Sequence, residues 1–310
     1  MTTLRLAELI APLAVASDCA AGLPPETALR TALIGVALGR ACGLTGTALG
    51  EIYYAGLLRH LGCSTTSHEE TRLMGNEQEL RTSMATVDSA SPAQMFKRAA
   101  TGFARGKSRL KRAATVARFM ARAPFEVPRI FGARCEVATQ LGRRLGLGEG
   151  VVRALDEAYE RFDGKGVPKR QARESLSIVS RVLSVAETAA MFMRLPGGET
   201  LAGRILAERA GSQFDPTVVA RFLEGTEAIA GPARADSLLG AVLDAEPAPM
   251  HTVASAHLRE VALVLADFVD LKIGRPGQEI QIATRLLCLN RASGSYFCLS
   301  VASRMSVPSP

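Results

Sequence analysis

The sequence predicts an all-α fold, and three observations carry that expectation. Apolar residues recur at three- and four-residue spacing in nearly every segment. No stretch alternates polar and apolar residues convincingly with period two. Hydrophobic residues make up 47% of the 310, yet Trp is absent and aromatics are only 5%. The core must therefore be mostly Ala, Leu and Val, which pack helix on helix more readily than they fill a β-sandwich.

Residues 26–41, "ETALRTALIGVALGRA", give the first clear helical pattern, and 47–61, "TALGEIYYAGLLRHL", repeat it before Gly62. Residues 64–96 are rich in Ser, Thr and short polar groups and read as a long loop or insertion. A helix over 135–145 stops at "GLGEG", and "EGVVRALDEAYERF" is expected to run as a helix to Phe162. Residues 173–194 give the clearest helix, with Ile178, Val182, Val185, Ala189 and Met193 as its apolar stripe. Residues 216–229 and 254–271 also read as helical. Residues 230–253 hold Gly231, Pro232, Pro247 and Pro249 and read as a linker around one short helix. Residues 273–310 lose periodicity and read as an irregular tail.

The net charge is +7, and its distribution says more than its size. Residues 97–122 hold nine Lys and Arg and no acid; without these nine, the +7 chain would stand at −2. The basic character is local. Its second half places Leu110, Ala113, Ala117 and Met120 on one expected apolar face. This stretch is the expected route to nucleic acid, should there be one; stacking aromatics are too few for a dedicated single-strand binder. No apolar run is long enough to span a membrane, and Arg5 and Glu8 interrupt the N-terminal apolar stretch, against a signal peptide. A cytoplasmic protein is expected. The six Cys form no C-x-x-C pair and sit at no zinc-finger spacing from a His, so free thiols are expected.

Four collinear stretches carry a resemblance. "ERFDGKGVP" (Glu160 to Pro168) resembles the signature HHExxDGxGYP of the HD-GYP family. "AGSQFDPTVVARFLE" (Ala210 to Glu224) is similar to the family's G-T-Q-F-D-P segment, and "SRVLSVAETAAMF" (Ser180 to Phe192) to a helix between the two. "AGLLRHLGC" (Ala55 to Cys63) resembles the strip that holds the His-Asp pair. The resemblance implies an HD-domain-like helical bundle over 1–229, with a basic insertion at about 92–124, a linker at 230–253 and a further helix at 254–272. That last helix, "HLREVALVLADFVDLK", resembles the start of a second repeat in actinobacterial regulators that end in a LuxR-type helix-turn-helix. The pattern breaks after Lys272, so the chain is read as truncated or shifted in frame there.

The resemblance implies phosphodiesterases of cyclic di-GMP that work through iron- or manganese-type ions. Carried over residue by residue, the ligands are largely absent. The His-Asp pair falls on Arg59 and His60, the two signature His fall on Ala158 and Tyr159, and a later Asp falls on Glu187. The chain has only four His. The expectation is therefore a catalytically degenerate regulatory or sensor module, with no catalytic residue, no metal and no cofactor. It would act on a nucleotide-like ligand or a regulatory protein partner, with nucleic acid and a homodimer as further arrangements. Its remnant ligand site is Arg59, His60, Glu160, Arg161, Asp163, Lys165 and Glu187. The alternatives are a metal-dependent phosphodiesterase of cyclic di-GMP type, keeping one Fe or Mn ion among His60, His68, Glu69, Glu70 and Glu187, and a basic DNA- or RNA-binding regulator.

Overall fold

The computed structural model describes residues 3–64, 87–88, 90–91, 93–97, 109–254, 257–259 and 261–265. The chain divides into one compact unit, Met1–Ser255, and a second, Ala256–Pro310. In the second unit residues 261–265 are helical. The rest of the expected 254–272 helix, Ala254 apart, lies almost wholly outside the described residues, as does the 273–310 tail.

The first unit is an all-α bundle, as expected from the spacing. Its helices are α1 (Leu6–Ala20), α2 (Thr27–Ala41), α3 (Thr47–Leu58), α4 (Arg109–Arg144), α5 (Glu149–Asp156), α6 (Ile178–Phe192), α7 (Gly198–Glu208), α8 (Pro216–Glu224), α9 (Thr226–Ala230) and α10 (Leu238–Asp244). Two short strands that periodicity did not reveal, β1 (Thr3–Arg5) and β2 (Thr252–Ala254), pair antiparallel.

Helix α2 is the centre. It packs against α1, α3, α6 and the 3-10 turn Gly231–Arg234. Its sequence suits that place: Ala28, Ala32, Ile34 and Leu38 are fully buried, and small residues let neighbouring helices come close. On α6, Val182, Val185 and Ala189 are fully buried as the stripe predicts, while Ile178 and Met193 sit at its half-exposed ends.

Two expectations are corrected here. Residues 230–253 are packed, not a linker. Ala230, Ala233, Leu238 and Val242 are buried, and the Tyr53 hydroxyl donates to the Val242 carbonyl at 3.0 Å. Tyr54 donates to the Glu246 carboxylate. Pro and Gly punctuate this segment without detaching it, because its short helix packs against α2, α1 and the 3-10 turn Gly231–Arg234.

The second correction concerns the basic stretch. The described part, together with the helix expected at 135–145, forms one continuous helix, α4. Its buried face carries Val116 and Phe119, while Leu110 is 85% exposed and Ala117 is exposed. Alanine methyls bury little area. A face built on Val and Phe, turned by one residue or about 100°, removes more apolar surface from water.

Candidate functional site

Three elements bring the first cluster together. Helix α3 ends at Leu58, so Arg59 and His60 lie at its exit. Glu187 lies on α6, and Asp18 lies near the end of α1. The His60 ring is 3% exposed and both its nitrogens are engaged: Nδ1 with Asp18 at 2.7 Å and Nε2 with Glu187 at 2.7 Å. Arg59 Nε donates to the other Glu187 oxygen at 2.7 Å, and its Nη2 donates to the Ala158 carbonyl. Asp18 also accepts from the Ala28 amide at 2.9 Å, which fixes it to α2.

The electrostatics follow from the geometry. Burial alone would lower the His60 pKa; the hydrogen bonds and charges of Asp18 and Glu187 outweigh it and raise the value to about 10. Burial would raise Glu187, but the Arg59 charge and the bond from His60 hold it down to about 2. Two cations thus face two carboxylates in a closed, neutral network. The Glu187 side chain is 22% exposed.

The second cluster is built by "ERFDGKGVP". Helix α5 ends at Asp156, six residues before the expected Phe162, and the chain then turns as an irregular loop. The Phe162 and Asp163 amides donate to the carbonyls of Gln213 and Ser212, at 3.2 and 2.8 Å. Two of the motif stretches are thereby zipped side by side. Arg161 is buried and paired with both Asp163 oxygens at 3.1 Å and with Asp88 at 2.7 Å. The Lys165 amide donates to Asp163 at 3.0 Å, while its side chain is exposed. The Glu160 carboxylate accepts from the Lys169 and Gln171 amides at 2.7 and 3.1 Å, and burial pushes its pKa up despite those bonds. Glu160 thus holds the loop closed.

The loop's glycines have different reasons. Gly164 has φ of +73°, the left-handed region that the turn requires. At Gly166 a Cβ would lie 2.5 Å from the Arg161 nitrogen and the Glu160 Cα, so the backbone itself passes too close for any side chain.

The structure therefore brings Arg59, His60 and Glu187 together, and separately Arg161, Asp163 and the Lys165 backbone. It does not join all seven sequence-predicted residues into one site. Sequence reasoning missed three carboxylates. Asp18 was visible as a lone acid in the apolar run "LAVASDCA". Glu157 is 3% exposed and accepts from the Ser177 amide and from both Ser177 and Ser180 hydroxyls, which anchors the start of α6. Asp88 carries no signal in its polar surroundings. In the positions of the two missing His, Ala158 is buried and Tyr159 shares a 2.9 Å hydrogen bond with the Cys63 thiol. Cys19, Cys42, Cys63 and Cys135 are free thiols, as expected; burial pushes Cys135 up to about 12.

The sequence and the fold resemble known proteins. Residues 129–218 match the HD domain family, a span that includes Glu160, Arg161, Asp163, Lys165 and Glu187 but not Arg59 or His60. The chain is 23% identical over 274 residues to 3′3′-cGAMP-specific phosphodiesterase 3 of Vibrio cholerae serotype O1, covering 87% of this chain and 59% of that protein. It also superposes on the crystal structure of a cyclic GMP-AMP specific phosphodiesterase of V. cholerae with a TM-score of 0.66, at 21% identity, over 88% of this chain and 62% of that one. The chain thus spans about three fifths of the relatives that it matches. The bundle is HD-domain-like, as the resemblance implied.

Two expectations are corrected by these likenesses. The reading as a catalytically degenerate module acting only by binding is overturned, because the relative and the solved structure that the chain resembles are cyclic-dinucleotide phosphodiesterases; the alternative raised from the sequence, a metal-dependent phosphodiesterase of cyclic di-GMP type, is the better supported. The expectation of no cofactor falls with it, because the phosphodiesterase class implied by the resemblance works through metal ions. Among the described residues no group of three or more His, Cys, Asp or Glu is placed to hold one. His60 has both nitrogens engaged, and the Arg59 guanidinium stands on the free oxygen of Glu187. These donors do not fit a metal cluster and cannot by themselves supply the hydrolytic step. His68, Glu69 and Glu70, the other donors considered from sequence, lie outside the described residues. Among the described residues no helix is long and apolar enough to cross a membrane.

Proposed function

We propose that this chain is a phosphodiesterase acting on a 3′3′-linked cyclic dinucleotide. The observation that carries the reading is the likeness over 274 residues to a phosphodiesterase specific for 3′3′-cGAMP, on a bundle that keeps the same fold. The chemistry of the second cluster supports it. Such a substrate presents two phosphodiester anions, and the loop after Asp163 exposes the side chains of Lys165 and Arg170. Cations on a rigid, hydrogen-bonded loop are suited to positioning phosphates. Arg161 orients Asp163 and Asp88 from beneath, and Glu160 keeps the loop closed. Arg59 and His60, in their present pairing, supply fixed charge that holds α3 to α6. The further donors that hydrolysis calls for are sought in His68, Glu69 and Glu70.

Within this reading the loop is of the Gly-Tyr-Pro kind, with Val167 where the tyrosine stands. The finer resemblance to actinobacterial regulators rests on residues 257–272 of the sequence alone.

The test is chromatographic. The purified chain is incubated with 3′3′-cGAMP and with cyclic di-GMP, each with Mn²⁺ or Fe²⁺ added. The linear dinucleotide is expected to accumulate. Cyclic substrate left intact under every metal condition would overturn the reading.

A further inference from the structure

A cavity of about 260 Å³ lies between α2, the end of α6, the start of α7 and the 3-10 turn Gly231–Arg234. Its lining is apolar at Ile34 and Ala190, but three arginines also line it, Arg30, Arg194 and Arg234, against one acid, Glu199. None of the groups assigned above to the candidate site lines it.

The three arginines are unequally compensated. Arg234 is paired with both Glu199 and Glu227. Arg194 donates to the Pro25 carbonyl at 2.7 Å, and among the described residues no carboxylate lies within ion-pair distance of it. Arg30 donates to the Ala233 carbonyl, has the Glu26 carboxylate only at 3.7 Å, and keeps a buried Nε that finds no acceptor among the described residues. Burial, and then the charge of Arg194, lower the Arg30 pKa, so the two guanidiniums repel each other across the space. An orphaned donor beside a second undercompensated cation costs stability unless an anion completes the set. Gly198, at the amino end of the 11-residue helix α7, also faces the cavity, where the helix dipole favours negative charge.

We propose that this cavity binds a phosphate group, either inorganic phosphate or the terminal phosphomonoester of a small molecule, between Arg30 and Arg194. Planar guanidiniums present paired donors that match phosphate oxygens. The volume falls below the roughly 300–1,000 Å³ of drug-sized sites, which suits an anion with a small carrier or none. This assignment goes beyond the proposed phosphodiesterase reading and does not depend on it.

The experiment is calorimetric titration of the full chain in chloride buffer with inorganic phosphate, AMP and adenosine. Phosphate is expected to bind saturably. Arg194→Ala, which removes a guanidinium bonded only to a carbonyl, is expected to weaken it about tenfold or more, the loss of a charge-assisted hydrogen bond. Arg30→Lys is expected to weaken it too, because Lys has no Nε donor of that geometry. Melting of each variant without phosphate reports whether the fold is kept. Equal affinity for phosphate and AMP supports the free anion as ligand, and tighter AMP binding supports a phosphomonoester. Absent binding of both, adenosine binding as well as AMP, or unchanged affinity in a folded Arg194→Ala would overturn the proposal.

Discussion

Three buried side chains, Asp18, Arg59 and His60, and the half-buried Glu187 decide the character of the first cluster. Removing one partner of a buried pair leaves the other uncompensated, which costs about 3–5 kcal/mol. Arg59→Ala should therefore lower the denaturant midpoint strongly, since Arg59 is 6% exposed and bonds both Glu187 and the Ala158 carbonyl. A midpoint within error of wild type would mean that the pair contributes nothing. The cluster also sets a pH window. His60, raised from 6.5 to about 10, contributes stability that is full below about pH 6.5 and lost as pH rises through 10. Glu187, lowered from 4.5 to about 2, contributes stability that is full above about pH 4.5 and lost as pH falls towards 2. Urea midpoints should thus decline from pH 6.5 towards 10, and a flat profile there would contradict the His60 assignment. At the loop, Gly166→Ala should cost about 1–3 kcal/mol, because a Cβ meets backbone rather than a movable side chain; an unchanged melting temperature would refute the close approach. The resemblance read from the sequence aligned Arg59, His60 and Glu187 with the family's ligand positions, and the glycines pointed to a turn. It could not show that an arginine and an imidazole neutralise Glu187, because that depends on which way α3 and α6 face each other.

Helix α4 shows what pattern reading does and does not deliver at the scale of an element. A helix was legible at each end, from "SRLKRAATVARFMAR" and from "CEVATQLGRRL", but Pro124 and Pro128 between them argue locally for a break. The helix nevertheless runs through both prolines, although no residue from 121 to 129 is buried. The buried face was misread for a related reason: several alanines at helical spacing look like a stripe, yet Val116 and Phe119 remove more surface from water. Phe119→Ala should therefore cost about 3–5 kcal/mol, and Leu110→Ala should stay within about 0.5 kcal/mol of wild type. Equal effects in chemical denaturation would restore the face expected from sequence. The same limit applies to residues 230–253, where Pro and Gly announced a linker but Leu238 and Val242 are buried.

For the whole molecule, composition and spacing sufficed for the fold class, and the collinear motifs sufficed for the HD-like bundle. Function was less legible. Counting missing histidines pointed to a lost activity, because each ligand position was judged by residue identity alone. Likeness along 87% of the chain to a cyclic-dinucleotide phosphodiesterase weighs the whole frame instead, and it moves the reading to catalysis. The closed Arg59–Glu187–His60–Asp18 network then sets the sharpest question, since three of its residues fall on the family's ligand positions by resemblance alone, and among the described residues it fits no metal. The most direct test follows the substrate's phosphorus. In ³¹P NMR of 3′3′-cGAMP with the full chain and Mn²⁺, one of the two phosphodiester signals should give way to a phosphomonoester signal while the other persists in the linear product, more slowly with Glu187→Gln. Phosphodiester signals that persist unchanged with the wild-type chain would contradict the account.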